Sequence, residues 1–501
     1  MGVKKYFANK DNTITNAYGI DLSTRATGSN MGAADILEVF SIYGLQTTSS
    51  VELSRALVQF PVDTISTDRT NGTIPASGSV NFYLRVFNAR HSEQLPENFT
   101  VNVLAVSQSW QEGIGLDMET YKDKTKDKID GSNWMNRLKA TRWGKPGGEY
   151  HSSSYVGAKT MPNYTFTFEK GNEDILLDVT SAVEEWLAST KENYGFGIFL
   201  TSSYEGYFSS SSGLDEDEVL HNTDGQQNSF YTKRFFSRSS EFFFKRPALE
   251  ARWDSRKTDD RANFYASSSM APAADNLNNL YLYNYIRGRL VDLPLTETLS
   301  VKLYASSDDA PTGSVLETAT ASKDTTGIYK AQIAIDTTAS LLHDVWSGSV
   351  GGEYKTGSIS VKDFNKSSVL FSDDYTRYVT KITNLKTKYS KEEQARFRVF
   401  TRPRNFSPTI YTVAKTEIEH VIVPSASFEV IRLIDNHTVI NNSTGSSTYH
   451  TYLSYDNSGS YFDLDMSLLE PGYMYGIKFI YYSSNNWREQ EEVHKFRVED
   501  N

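Results

Sequence analysis

Along most of the chain, apolar and polar residues alternate with a period of two, as expected for strands with one buried face. Ala56-Leu-Val-Gln-Phe60, Val80-Asn-Phe-Tyr-Leu-Arg-Val86 and Val101-Asn-Val-Leu-Ala-Val106 follow this rule, and turn-rich stretches such as Arg69-Thr-Asn-Gly-Thr73 separate them. One segment changes period twice. Ile175, Leu177 and Val179 alternate, Val183, Trp186 and Leu187 recur at helical spacing, and Phe196, Ile198 and Leu200 alternate again. The spacing predicts strand, one short helix, strand. Ser181 followed by Glu184 is a capping-box signal for the helix start, and Asn193, Gly195 and Gly197 break the chain before the last strand. Trp186 is predicted to plug the end of a sandwich.

Between Gly113 and Met161 the alternation gives way to Lys, Asp, Gly and Ser around isolated Trp134 and Trp143, which reads as a long loop region over the sandwich end. A second loop, from Ser209 to Val219, is serine-rich and then acidic. From Phe230 to Trp253 phenylalanines are mixed with Arg and Lys, predicting two closing strands joined at Ser239-Ser240. The polar run Asp254 to Arg261 marks a first boundary. Strand patterns resume at Leu280–Ile286, Val301–Tyr304 and Gly327–Ile335, with a turn at Asp309-Ala-Pro-Thr-Gly313. They recur in the last third at 395–400, 428–434, 460–464, 473–480 and 493–498, a spacing that suits a small immunoglobulin-like sandwich. Three domains are expected: 1–255, 263–372 and 373–501.

Composition narrows the picture. With 31 Tyr and 27 Phe among 501 residues, pleated structure is favoured over helix. A net charge of -11 opposes non-specific binding to nucleic acid or to an anionic membrane, so neither partner is expected. The chain has no cysteine, which removes disulfides, thiolate chemistry and Cys-ligated metals. No apolar run is long enough to span a membrane, and synthesis in a cytoplasm is expected.

Several ordered pieces resemble the jelly-roll modules named for the motif DNRLRE, found in bacterial surface proteins and in virion proteins of tailed phages. Asn30-Met-Gly-Ala-Ala-Asp-Ile-Leu-Glu-Val39 is similar to the family's opening, and Arg55–Phe60 to its first long strand. Ser109-Trp-Gln-Glu-Gly113 with Asn133-Trp134 resembles its Trp-x-Glu and Trp-Asn pair, although Met135 follows Trp134 where the family often has Asn. Asp178-Val-Thr180, Trp186 and Asn193-Tyr-Gly-Phe-Gly197 resemble its close. Phe235 to Trp253 looks like virion proteins of marine tailed phages. Leu469-Glu-Pro-Gly-Tyr-Met-Tyr475 resembles the tyrosine-corner turn of fibronectin type III sandwiches, with Tyr475 at the corner. Asp344-Val-Trp346 with Gly357-Ser-Ile359 looks like the closing strands of an immunoglobulin-like module. The resemblance implies an all-β chain: an N-terminal jelly roll with one short helix, then two immunoglobulin-like sandwiches.

Candidate chemistry is sparse. The eight histidines show neither His-x3-His nor His-x-His spacing, and there is no Gly-x-Ser-x-Gly elbow, Walker loop or Rossmann fingerprint, so no catalytic residue, cofactor or metal is assigned. Asp215-Glu-Asp-Glu218 with Asp224, and Asp123, Asp127 and Asp130, offer carboxylates that calcium needs, but not in EF-hand spacing. Trp134, Trp143, Tyr150, Tyr155, Tyr204 and Tyr207 are candidates for subunit contacts or for sugar stacking, since Trp and Tyr serve both. The leading expectation is a non-enzymatic virion component at head, neck, tail or baseplate, partnered by other virion proteins in symmetric copies. A glycan-binding receptor-recognition protein is the alternative, and a polysaccharide depolymerase has no motif behind it.

Overall fold

The computed structural model describes residues 1–44, 50–91, 95–118, 131–152, 160–215, 218–305, 313–349, 352–362, 378–404, 420–445, 448–483 and 486–500. It is all-β and divides into two compact units, Gly2–Asp254 and Ser255–Asn501 with Met1.

The first unit is a two-sheet sandwich. One sheet orders the strands Val3–Phe7, Ala248–Arg252, Asn81–Val86 and Ile175–Asp178. The other orders Phe230–Phe236, Ile36–Gly44, Ser50–Gln59, Phe196–Leu200, Phe99–Ala105 and Tyr164–Phe168, with Lys10–Thr15 also paired to Ser50–Gln59. Phe82, Leu84, Val58, Val101, Ile198 and Leu249 meet between them. Alternation explains the geometry: Val101, Val103 and Ala105 are buried, while Thr100, Asn102 and Leu104 point to the other face.

The helix Thr180–Leu187 lies between Ile175–Asp178 and Phe196–Leu200, and its indole, Trp186, packs 4.9 Å from the Phe196 ring inside the core. The predicted capping box does not form. Val179 occupies the cap position, Asp178 accepts hydrogen bonds from Thr180 N (2.9 Å) and Oγ1 (2.6 Å), and Glu184 pairs with Arg69 at 2.6 Å. An Asx turn one residue upstream replaces it. A second helix, Val62–Thr70, has no helical signal in the sequence, because its β-branched residues suit strands and only Val62 and Ile65 are buried. The closing strands Phe230–Phe236 and Ala248–Arg252 are also no hairpin. They lie in different sheets, and the stretch between them crosses from one layer to the other through a short turn at Phe243–Lys245.

The second unit contains two immunoglobulin-like sandwiches. In the first, one strand path closes around Trp346, Leu299, Val301, Tyr329 and Leu280, in the order Phe264–Tyr265, Gly352–Lys362, Leu341–Ser349, Leu295–Tyr304, Glu317–Thr325, Ile328–Ile333, Asn278–Tyr283. In the second, Tyr378–Ile382, Gln394–Pro403, Gly459–Asp465 and Ser454–Asp456 face a sheet of Lys388–Ser390, His494–Glu499, Met474–Ser483, Ala426–Arg432 and His437–Ile440. Tyr475 forms the predicted corner: fully buried, its hydroxyl donates to Glu470 O and accepts from Glu470 N, both at 2.8 Å. The turn predicted at 309–313 and the boundary predicted at 372 fall largely on residues outside those described.

The polar run after Asp254 is not a solvated tether. Thr258 pairs in parallel with Tyr455, Asp259 N donates to Tyr455 O, and the Tyr455 hydroxyl donates to Asp260 Oδ1 at 2.8 Å. Asp259, Asp260 and Arg261 are all buried, and Arg261 pairs with Asp344 at 2.8 Å. The segment thereby belongs to both sandwiches of its unit.

Candidate functional site

The strand Ser50–Gln59 sends Val51, Leu53, Arg55 and Leu57 away from the main core, onto the outer face of the larger sheet. The described residues of the region predicted as a loop over the sandwich end lie on this face and build a second core there. Trp110, Trp134 and Trp143 fill that core with Ile14, Val51, Leu53, Leu57 and Val106. Each indole donates to a backbone oxygen: Trp110 to Tyr194 O (2.8 Å), Trp134 to Glu218 O (3.0 Å), Trp143 to Asn133 O (2.9 Å). Trp134 is 0% and Trp143 5% exposed, so neither offers a ring to a partner, and their reading as surface contacts is corrected. An indole with a satisfied N–H is more stable buried than exposed, and a long polar loop needs such anchors to settle on a sheet.

The polar motif residues brace the same region. Buried Asn30 donates to Glu112 O (2.6 Å) and Ser132 O (2.8 Å) and accepts from Gly115 N (2.9 Å) and Gly32 N (3.2 Å). Glu112 accepts from Asp11 N and holds Arg238 through both carboxylate oxygens. Burial pushes the neighbouring Asp11 carboxyl up to about 7. Gly113 sits at φ 79 where a Cβ would lie 2.3 Å from Asn30 Oδ1. Asn193 closes the turn by donating to Phe60 O at 2.8 Å.

Beside this second core lies a cleft of about 510 Å³. Its floor is Arg55, whose Nη2 donates to both oxygens of Glu205 (2.9 and 3.2 Å) and whose Nη1 donates to Gly147 O at 3.1 Å. Burial works against the Arg55 charge and Glu205 outweighs it, so the guanidinium pKa is raised. The guanidinium stands 4.4 Å over the Phe199 ring, and Tyr150 packs on the same ring at 4.7 Å with its hydroxyl donating to Gly147 O. Burial lifts the Tyr150 phenol to about 12. Lys145, Asp215, His221 and Asn222 line the mouth.

Of the remaining candidates, Tyr204 is half-buried and packs edge-on against Phe230 at 5.1 Å, and Tyr207 is half-buried outside the cleft lining. Tyr155 lies outside the described residues, as do Glu216, Asp217, Asp123, Asp127 and Asp130. Asp215 accepts from His221 N and Glu218 from Thr27, and among the described residues no group of three His, Asp or Glu is placed to hold a metal. The Ser210 hydroxyl lies 3.3 Å from His221 Nδ1, as in a nucleophile–base pair, but donates to Leu214 O while Nδ1 accepts from Ser210 N at 3.1 Å. The cleft can receive hydrogen-bonding groups, but its aromatic faces are already occupied by each other and by Arg55.

No family model matches the chain, and no curated protein is significantly similar to it. Among solved structures, it is similar to a titin fragment described as an anomalous substructure of Titin-A168169 (9% identity, 48% of this chain, 95% of that chain, TM-score 0.15). It is also similar to DIP-gamma IG1+IG2 (12%, 48%, 93%, 0.13) and to chicken CNTN1 FN1–FN3 domains (8%, 56%, 83%, 0.15). Similarity at this level carries no argument beyond the fold read from the sheets themselves.

Proposed function

We propose that the chain is a non-enzymatic structural component of a tailed-phage virion, acting by protein–protein assembly, with the N-terminal sandwich docking and the two immunoglobulin-like sandwiches open to neighbours. The DNRLRE resemblance supplies the phage context, and Asn30, Trp110, Glu112 and Asn193, which carry it, use their polar groups to brace loops. What carries docking is the loop Tyr18–Arg25. Gly19 N donates to Thr24 O, Asp21 Oδ1 accepts from Ser23 N and Thr24 N, and Arg25 donates to Asn16 O and Val51 O while stacking 4.4 Å over Tyr18. These amides, Thr24 first, hold the Asp21 carboxyl well below the usual carboxylate range. The braced tip carries Ile20 and Leu22 with 86% and 80% of their surface exposed, and Leu22 is held at φ 50. A rigid loop that spends backbone strain to keep two branched aliphatic residues in water is organised for an apolar surface on another protein.

The test is incorporation. Purified particles of a phage encoding this chain are expected to contain it in fixed stoichiometry, at symmetry-related positions in an electron-microscopy map. Ile20→Asp with Leu22→Asp, folded by circular dichroism, is expected to be lost from particles. A chain absent from particles, or one that instead binds host glycans on an array, overturns the reading.

A further inference from the structure

Lys233 is a lysine in the wrong place for a surface strand. It lies on Phe230–Phe236, the edge strand of the larger sheet, yet is 1% exposed, with its ammonium 4.5 Å from the Phe168 ring centroid and 5.2 Å from that of Phe235. Its Nζ donates to the side-chain oxygen of Asn88 at 2.6 Å and to the backbone oxygens of Gly171 and Glu173, both at 2.9 Å. Among the described residues no carboxylate oxygen pairs with it directly, but Asp174 and Glu173 both act on its charge. Asp174 Oδ1 accepts from Asn88 N at 2.7 Å, and Glu173 Oε2 is buried with no hydrogen-bond partner among the described residues. His91 Nε2 stands 3.2 Å from the Asn88 oxygen that Lys233 holds.

We propose that Lys233 and Asn88 form an intramolecular isopeptide bond, with the carboxylates of Glu173 and Asp174 carrying the proton. A buried amine beside an amide, among aromatic rings and next to carboxylates, has what amide exchange needs: a desolvated nucleophile, a fixed electrophile and a proton carrier. Burial, opposed by Asp174 and Glu173, lowers the Lys233 pKa to about 8, so neutral amine is available near physiological pH. Lys233 Nζ bonds to Asn88 Cγ, the Cγ–Nδ2 bond breaks, and one proton leaves Nζ through the carboxylates to Nδ2, which departs as ammonia. The step consumes no oxidant, metal or cofactor.

The bond would tie the segment just after Asn81–Val86, in the smaller sheet, to the edge strand of the larger one, joining residues 145 apart in sequence. A chain without cysteine has no disulfide with which to close such a loop, and a cross-link between the sheets restricts the unfolded chain as a disulfide does. The inference stands apart from the assembly reading, since it concerns one molecule.

The experiment is the intact mass of the purified full-length chain. Cross-linking gives the sequence mass less one ammonia, and a proteolytic digest gives one branched peptide containing both Asn88 and Lys233. The full sequence mass with separate peptides, or Asn88 deamidated without a branch, overturns the proposal. Because the wild-type chain carries the measurement, a variant that fails to fold does not weaken it. Glu173→Gln with Asp174→Asn, folded by circular dichroism, is expected to keep its ammonia. If this variant cross-links as fast as the wild type, the role of the carboxylates is overturned.

Discussion

In the unit Gly2–Asp254, one buried cation, Lys233, donates to neutral oxygens, those of Asn88, Gly171 and Glu173. In Ser255–Asn501, another buried cation, Arg261, sits among carboxylates, Asp344 at 2.8 Å and Asp259 at 3.5 Å. The difference decides which group bears the cost of burial. Burial, which Asp174 and Glu173 only partly offset, lowers the pKa of Lys233 itself and makes it a reactive amine. Around Arg261 the cost of burial shows in its carboxylate neighbours. Asp344, although desolvated, is held below the usual carboxylate range by Arg261, Thr356 and Trp346, whereas Asp259 is left on the losing side and rises to about 7. One arrangement prepares chemistry, and the other joins two sandwiches into one unit.

The largest expected effect breaks the second arrangement. Asp344→Ala leaves Arg261 buried beside a carboxylate that prefers to be neutral, and removes the acceptor of Trp346 Nε1 and Thr356 Oγ1. Stripping one partner from a buried pair costs about 3–5 kcal/mol. Urea denaturation measures it, and hydrogen exchange is expected to place the loss in 255–501. On the other side of the comparison, Trp186→Ala is expected to cost about 3–5 kcal/mol by opening a cavity, with lost protection confined to strands of 2–254. If either substitution destabilises both units alike, the two are not independent.

The pH dependence sharpens the contrast. Asp259 is raised from its ordinary 3.8 to about 7, chiefly by burial, with Arg261 opposing and Asp260 and Asp456 adding to the rise. Its neutral form is the one the fold prefers. The stability it contributes is therefore fully present below about pH 4 and is lost as pH rises to about 7. Glu250, held low by Arg85, Lys5 and Arg252, and Asp344 work in the opposite sense, so the readout is a difference between proteins. Asp259→Asn is expected to match the wild type near pH 4 and to exceed it increasingly up to pH 7, with a constant gap above. A gap that closes as pH rises would reverse the assignment.

The tyrosine corner shows which parts of this architecture are legible in a sequence. Glu-Pro-Gly-Tyr-Met-Tyr is a local signal, because the turn and the ring that closes it lie within a few residues, and Tyr475, the expected corner, bonds to Glu470. Trp134 and Trp143 carry no local sign of burial, because the polar loop around them has no period and the partner that buries them, the outer face of Ser50–Gln59, is remote in sequence. Lys233 stands in a run of Phe, Lys and Arg that carries no local sign of which cation is buried. Its meaning depends on Asn88 and Asp174, which only the fold brings near. Tyr475→Phe is expected to cost about 1–3 kcal/mol, since it leaves a buried N–H and C=O of Glu470 unmatched, with the loss confined to the last sandwich.

The smallest effect tests the helix start, where the sequence signal and the structure disagree. Were the capping box formed, Ser181→Ala would remove its donor-accepting oxygen and Glu184→Ala its return bond, each at about 1 kcal/mol. In the structure the first turn is instead served by Asp178, which accepts from Thr180 N and Oγ1, by Thr180 Oγ1, which accepts from Phe82 N, and by the Tyr164 hydroxyl, which accepts from Ala182 N. Asp178→Ala is accordingly expected to cost about 1 kcal/mol. Ser181→Ala, at an exposed position, is expected to stay within about 0.5 kcal/mol of the wild type. Thermal unfolding followed in the 2–254 unit separates the two, because only the cap that exists can be lost.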